Sequence, residues 1–221
     1  GRRSSSAGAA VSSSTAAAPK AQSQPSVAFS GLPEGERLDG FLATVSSLGG
    51  SVVEDAAALS GSTVMVVEPS PSVSRTIKLL VAVSVCDIVT PEWVDACRAA
   101  DQFVPVDAYL LGECTVSSKG IKVPWDAAKA RTRAAAAPCL RGRTFYITKT
   151  TSPDADKLKI IIEKAGGATV ETLPTTAPRS PLVVVCTDRD RRELQRLQGM
   201  RNVSELRDAE LLAYLLQQKY G

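Results

Sequence analysis

Short apolar runs alternate with amphipathic stretches from residue 27 onward. Residues 27–29 and 52–53 are apolar, as is nearly every position of residues 63–67, and such runs predict the strands of a buried parallel sheet. Between the first two runs, apolar residues at helical spacing predict one face of a helix: Leu38, Phe41, Leu42, Val45 and Leu48. Gly49 and Gly50 follow, and glycine is the usual residue of a left-handed helix cap. The pattern predicts a strand, a helix and two further strands.

Two more helices and one strand are predicted next. A second helix is expected from Arg75, with Ser74 as its N-cap. Residues 87–89 form another short apolar run, and Thr90 is expected to cap a third helix on which Trp93 points inward. The full order is strand, helix, strand, strand, helix, strand, helix.

The same order returns in the second half of the chain. Residues 144–148, 168–170 and 182–185 predict strands, and a final helix is expected to be capped by Asp208. Three pairs of corresponding positions lie 116 to 118 residues apart: Phe29 and Phe145, Gly49 and Gly166, Trp93 and Leu211. We therefore infer an internal duplication.

Composition separates the remaining segments from these two units. Residues 1–26 are mostly small and polar, so they cannot offset the entropy of ordering, and we expect a disordered leader. Residues 114–138 are expected to be a linker between repeats at 27–113 and 139–221. Residues 127–137 are rich in Ala, Lys and Arg and predict partial helix. Because the chain begins with Gly, we expect it to be a fragment of a longer protein.

Composition also excludes several classes of function. The chain of 221 residues has no apolar run near the ~18 needed to span a bilayer, so a soluble intracellular protein without a membrane partner is expected. The five cysteines form no C-x-x-C pair, and there is no histidine. We therefore expect no metal, no cofactor and no enzymatic activity. The net charge is only +3, so anion recognition must be local.

Five features in sequence order resemble the BRCT domain. They are Ser30-Gly31 after the first strand, Leu48-Gly49-Gly50 after the first helix, Thr63-Val64-Met65-Val66, Arg75-Thr76-Ile77-Lys78, and Thr90-Pro91-Glu92-Trp93. The resemblance covers residues 27–113 well and 139–220 more loosely. It implies an α/β fold of two BRCT repeats, each a small central parallel sheet flanked by helices, packed in tandem. Leu79 or Leu80 would then meet residues around Leu158, Ile162 and Leu212.

The resemblance is strongest to the phosphopeptide-binding pairs of this family, and it implies a site. By that resemblance Ser30, Gly31 and Lys78 hold one phosphate, Arg75 contacts the peptide backbone or its terminal carboxylate, and Thr76 supports them. A phosphate group suits a hydroxyl, a free amide and a cation, and a sulfate or phosphate ion is expected to fit the same pocket. The simpler interpretation is that Ser30-Gly31 is a turn and Lys78 a solvated helix residue.

The second repeat departs from this pattern. It has Thr148-Lys149-Thr150 after its first strand and no Arg-Thr-x-Lys, so no second phosphate pocket is expected. The resemblance places the peptide side chain three residues after the phosphate in a groove between the repeats, with lining residues and preference left open. Four arginines are candidates for a phosphate or nucleic-acid patch: Arg189, Arg191, Arg192 and Arg196. Because Asp188, Asp190 and Glu193 are interleaved with them, a solvated helix face is favoured.

The leading hypothesis is a non-catalytic, monomeric scaffold module that binds a phosphoserine or phosphothreonine partner in the nucleus. Chromatin or DNA-damage signalling is the setting that the resemblance implies, and a kinetochore is the alternative. A second hypothesis is a phosphate-independent pair that binds protein or DNA ends, with DNA the less favoured partner. A nucleotide-binding enzyme is disfavoured because neither G-x-G-x-x-G nor a P-loop occurs.

Overall fold

The computed structural model describes residues 24–118 and 121–220. Residues 1–23 of the predicted leader lie outside this range, and Ser26 already belongs to the first strand. In the described ranges, no helix combines the length and the apolar character required to cross a bilayer.

The first repeat is a parallel sheet with helices on both faces, in the predicted order of elements. Its strands are β1 (Ser26–Ser30), β2 (Ser51–Val52), β3 (Thr63–Val67), β4 (Val73–Ser74) and β5 (Asp87–Val89). Its helices are α1 (Glu36–Ser47), α2 (Ile77–Val85) and α3 (Glu92–Ala100). The sheet has the order β2-β1-β3-β5, and β4 lies outside it.

The described part of the segment predicted as a linker contains an element that was not predicted. Strands β6 (Glu113–Ser118) and β7 (Ile121–Asp126) form an antiparallel hairpin, and β6 also pairs with β4. Helix α4 (Ala127–Ala136) follows, as predicted for this segment, and the Asp126 side chain caps it by accepting from the Lys129 N–H.

The second repeat repeats the architecture of the first. Its elements are β8 (Thr144–Ile147), α5 (Ala155–Lys164), β9 (Ala168–Val170), β10 (Leu182–Cys186), α6 (Arg191–Gln195), β11 (Val203–Arg207) and α7 (Asp208–Gln217). The sheet has the parallel order β11-β10-β8-β9.

The registers of the two sheets define which residues correspond. Ser26 pairs with Thr63 in the first sheet, and Thr144 pairs with Leu182 in the second. Ser30 therefore corresponds to Thr148, as the sequence predicted. Phe145 takes the place of Val27, so Phe29 and Phe145 are not equivalent and their predicted pairing was wrong by two residues. The two repeats nevertheless have the same order of strands and helices, as the inferred duplication requires.

The start of helix α2 differs from the prediction. The helix begins at Ile77, and Thr76 rather than Ser74 is its N-cap, because the Thr76 hydroxyl accepts from the Leu79 N–H at 3.1 Å. Ser74 and Arg75 are held extended against the hairpin, and the Arg75 N–H donates to the Ser117 carbonyl at 3.0 Å. Strand pairing therefore keeps Ser74 and Arg75 out of the helix.

Helix α2 is the layer shared by the two repeats. One side covers the first sheet, and the other packs against α5 and α7. Leu79 and Leu80 lie in one buried cluster with Leu158, Ile162 and Leu212, so the predicted packing is confirmed. On the opposite face of the first sheet, α1 and α3 build a separate cluster around Trp93 and Phe41.

Trp93 anchors that second cluster. Its side chain is 1% exposed, its indole N–H donates to the Val104 carbonyl at 3.0 Å, and its ring stacks on Phe103. We expect Trp93→Ala to lower the free energy of unfolding by about 3–5 kcal/mol, because it leaves a large cavity. Urea unfolding measures this. Trp93→Phe keeps one aromatic ring and loses the hydrogen bond and part of the ring volume, so it should cost less than Trp93→Ala. If Trp93→Ala lowered the free energy of unfolding no more than Trp93→Phe does, Trp93 would not be the anchor of this cluster.

Candidate functional site

Two hydroxyl groups meet where β1 ends and α2 begins. Ser30 is the last residue of β1, and its Oγ lies 2.6 Å from the Oγ1 of Thr76, the cap of α2. Ser30 is 7% exposed, so its side chain is held in place by its surroundings. Parallel pairing with β3 brings the end of β1 to the edge of the sheet from which α2 starts. These elements bring together two residues that are 46 positions apart.

A glycine and a helix end lie beside these hydroxyls. Gly31 has a φ of +75°, a conformation that glycine adopts without strain, and it is exposed. The first N–H groups of α2 have no carbonyl partner within the helix, and the helix dipole makes this end positive. The surroundings of Ser30 therefore offer hydrogen-bond donors to an anion.

Lys78 supplies a positive charge at the same place. Its side chain is half-buried, and its Nζ lies 3.5 Å from the carbonyl oxygen of Phe29, the residue before Ser30. An ammonium group has three donors, so this contact leaves others for a ligand. We call the space beside Ser30, Gly31, Thr76 and Lys78 the anion notch.

Arg75 lies next to the anion notch but faces a different cavity. A groove of about 380 Å³ has Arg75 and Asp208 in its lining. Burial holds the pKa of Arg75 below its ordinary value, and the negative charge of the nearby Asp208 carboxylate offsets part of this lowering. The structure therefore brings Ser30, Thr76 and Lys78 together beside Gly31, and it places Arg75, the residue before Thr76, in the lining of the groove.

The groove runs between the hairpin and helix α7. Its apolar lining includes Val116, Val123 and Trp125 from the hairpin and Leu212, Ala213 and Leu216 from α7. The indole N–H of Trp125 donates to the Leu216 carbonyl at 2.8 Å, which ties the hairpin to the second repeat. Sequence reasoning predicted a groove between the repeats but missed the hairpin and Trp125.

The second repeat has a carboxylate at the place that corresponds to the anion notch. Thr148 corresponds to Ser30, and Thr187 caps the turn Asp188–Asp190 as Thr76 caps α2. The hydroxyls of Thr148 and Thr150 donate to Asp190 Oδ2 at 2.8 and 2.6 Å, and the Thr187 N–H donates to the same oxygen at 2.8 Å. The Asp190 side chain thus fills the site from within.

Asp190 is held there as an anion. It is only 5% exposed, and burial acts to raise its pKa, but hydrogen bonds from Thr150, Thr187 and Thr148 outweigh this and hold the pKa below its ordinary value. A fixed negative charge in this position would repel a phosphate. This gives a physical reason for the expectation of a single phosphate pocket.

The cysteines do not form a reactive or metal-binding group. Burial raises the pKa of Cys86 to about 12 and the pKa values of Cys114 and Cys139 to about 11, so these thiols stay protonated at neutral pH. In the part of the chain that the structure describes, no group of three Cys, Asp or Glu side chains is placed to hold a metal ion.

Comparison with known proteins identifies the fold. The BRCT domain family matches residues 138–205. PAX-interacting protein 1 from Bos taurus is 32% identical over 152 residues, which are 68% of this chain but only 14% of that protein. The crystal structure of the BRCT5-BRCT6 domains of S. pombe Brc1 has a TM-score of 0.60 at 16% identity and covers 90% of this chain and 94% of that one.

A further structure contains a ligand. The complex of Rtt107p with a phosphorylated histone has a TM-score of 0.53 at 11% identity, with 89% of this chain and 88% of that one covered. The chain described here has the same pair of parallel sheets flanked by helices. It belongs to the BRCT domain family and folds as a tandem pair of BRCT repeats.

Proposed function

We propose that this chain is a scaffold module that binds a phosphorylated peptide and has no catalytic activity of its own. The observation that carries the proposal is the meeting of Ser30, Thr76 and Lys78 at the anion notch, with the Ser30 and Thr76 hydroxyl oxygens 2.6 Å apart. The complex of Rtt107p with a phosphorylated histone supports it, since that protein shares the fold.

The hydrogen bonds around Thr76 give it a positioning role in the proposal. Its oxygen accepts from the Leu79 N–H, so its own hydrogen can be donated to Ser30 Oγ. The hydrogen of Ser30 is then free to point at a phosphate oxygen. The Gly31 N–H and the Lys78 ammonium supply the other donors that three phosphate oxygens require.

The energies of these contacts fit a peptide-binding module. Each hydrogen bond to a charged group contributes about 1.5–3 kcal/mol. Three of them account for much of the ~8 kcal/mol that corresponds to micromolar binding. Contacts of the peptide beyond the phosphate would supply the remainder and the sequence preference.

The groove beside Arg75 is the proposed site for the peptide residues that follow the phosphate. Arg75 connects the anion notch to the groove, and its guanidinium has five donors for peptide carbonyls or a terminal carboxylate. Because Trp125, Leu212 and Leu216 line the groove, we propose that it takes an apolar side chain. The resemblance to the family suggests the third residue after the phosphate.

We propose a nuclear setting in chromatin or DNA-damage signalling. The support is the phosphorylated histone in the Rtt107p complex, since histones are chromatin proteins. This chain spans 10 to 14% of the length of the PAX-interacting proteins it matches, so their partners are not transferred to it. The alternatives are a kinetochore setting and phosphate-independent binding.

The anion notch can be tested with two small substitutions. We expect Ser30→Ala and Lys78→Ala each to weaken binding about tenfold, because each removes one charge-assisted hydrogen bond. Fluorescence anisotropy with a peptide library carrying fixed phosphoserine, and with the same library carrying serine, measures this. Calorimetry with one selected phosphopeptide should give one site per chain. Thermal melting should be unchanged.

Lys164→Ala is the matched control, because Lys164 is half-buried like Lys78 and also donates to a backbone carbonyl, that of Leu59. It lies near Cys86, at the opposite end of α2 from Lys78. Lys164→Ala should bind like the unaltered chain. Equal binding of the two libraries would favour phosphate-independent recognition, and normal binding by both notch variants would show that the site is wrong.

The groove can be filled without disturbing the core. Ala213 is exposed on α7 and lines the groove, so Ala213→Trp should remove the preference for an apolar residue after the phosphate while binding stays phosphate-dependent. Selection from the phosphoserine library measures the preference. Ala99→Trp, at an exposed position of α3, is the control and should leave it intact. An unchanged preference in Ala213→Trp would exclude the groove.

Asp190 should stabilise the second repeat instead of binding a ligand. We expect Asp190→Ala to lower the free energy of unfolding by at least about 2 kcal/mol at neutral pH, because it removes several hydrogen bonds to a charged group. Folding lowers the pKa of Asp190. The stabilisation by its carboxylate is therefore complete at pH values above the pKa in the unfolded chain, which is about 4, and it is lost as the pH falls below that value. Urea unfolding across pH measures it.

The exposed Glu54 provides the control, and Glu54→Ala should leave stability nearly unchanged at every pH. The free energies of unfolding of Asp190→Ala and the unaltered chain should converge as the pH falls below about 4. If they diverged instead, Asp190 would not stabilise the fold as a carboxylate.

A further inference from the structure

Four arginines lie exposed around helix α6 of the second repeat. They are Arg189, Arg191, Arg192 and Arg196. The sequence favoured a solvated helix face here because three acidic residues are interleaved with them. The structure shows where those acidic side chains go.

Each of the three carboxylates has a partner elsewhere. Asp188 forms an ion pair with Arg207 at 3.0 Å. Asp190 is buried among threonine hydroxyls, and Glu193 accepts from the Tyr146 hydroxyl at 3.0 Å. Within residues 24–118 and 121–220, none of the four arginines takes part in an ion pair.

Three of these arginines share one side of the helical segment. Arg189 lies in the helical turn that precedes α6, Arg192 lies in α6, and Arg196 is its C-cap. Separations of three and four residues along this continuous helical segment place the three side chains on one side. Leu194 and Leu197 are buried on the other side, at 6% and 4% exposure. We call Arg189, Arg192 and Arg196 the arginine face.

The arginine face is separate from the anion notch. Leu194 and Leu197 pack with Val184 on one side of the second sheet. Helices α5 and α7 cover the other side and contact α2, which carries the notch. The second sheet therefore lies between the arginine face and the proposed peptide site.

We propose that the arginine face binds the phosphate backbone of double-stranded DNA. The planar guanidinium matches a phosphate in two-pronged hydrogen bonding. Residues three and four apart on a helix are about 5–6 Å apart at Cβ. Because arginine side chains are long and flexible, three of them on one face can each reach a different phosphate of the duplex backbone.

The residues around the arginine face favour duplex DNA over two other anionic partners. The exposed neighbours in the chain are Gln195, Gln198 and Gly199, and none of them offers an aromatic ring on which single-stranded bases would stack. None of them offers an apolar side chain to anchor an acidic peptide either. A polar, basic surface of this size suits contact with the backbone alone, independent of base sequence.

The test compares two triple substitutions that remove the same charge. Arg189→Ala/Arg192→Ala/Arg196→Ala removes the arginine face. Lys129→Ala/Lys157→Ala/Lys159→Ala removes three lysines that form ion pairs elsewhere. Fluorescence anisotropy with a short labelled duplex is measured over a range of salt concentrations, and thermal melting checks that each variant is folded.

We expect the unaltered chain to bind the duplex at low salt. A plot of the logarithm of the association constant against the logarithm of the salt concentration should have a slope of about −2.7 or steeper, as expected for three phosphate contacts. The arginine triple should bind at least about tenfold more weakly and lose most of that slope. The lysine triple should stay within about twofold of the unaltered chain.

Three results would overturn the proposal: no binding of the duplex at low salt, an equal loss in the two triples, or displacement of the duplex by polyglutamate at matched charge concentration. Ser30→Ala, which changes no charge, should keep duplex binding while losing phosphopeptide affinity. Failure of the anion notch and failure of the arginine face are therefore distinguishable.

Discussion

The burial of helix α2 on two sides is the constraint on which the rest of the structure depends. Residues 79–83 are all buried, with the first sheet on one side and α5 and α7 on the other. The first turn of the helix, with Lys78 and the cap Thr76, comes near the surface beside Ser30. Because the helix cannot rotate without exposing apolar area to water, these two side chains are fixed relative to Ser30. Tandem packing thus determines the geometry of the anion notch.

The hairpin extends this constraint to the groove. Pairing of β4 with β6 holds Ser74 and Arg75 extended, so the helix begins two residues after the predicted start and Arg75 lines the groove. The hydrogen bond from Trp125 to Leu216 then joins the hairpin to α7. One segment between the repeats therefore positions the residue beside the notch and builds one wall of the neighbouring groove.

Local pattern predicted the elements, while contacts between distant segments had to be observed. Apolar runs were sufficient for β1 and β3, because consecutive residues of both strands are buried. Helical periodicity was sufficient for α1, because it buries one face. The cap at Thr76 depends on strand pairing with residues more than 40 positions away, which no local signal carries. The hairpin did have a partial signal, because Cys114 and Val116 alternate with polar residues. In the second strand the alternation is interrupted by Pro124, which lies between Val123 and Trp125.

The site residues divide in the same way. Ser30, Gly31 and Lys78 could be assigned by resemblance, but the link from Leu79 through Thr76 to Ser30 needed coordinates. In the second repeat, equivalent backbone positions carry threonines that bond to Asp190, so burial of that carboxylate is offset within the chain itself. At the notch of the first repeat, Lys78 supplies a cation instead of a carboxylate. The corresponding positions of the two repeats thus differ in charge, with a buried carboxylate in the second repeat and a lysine in the first, and the proposed phosphate site rests on this difference.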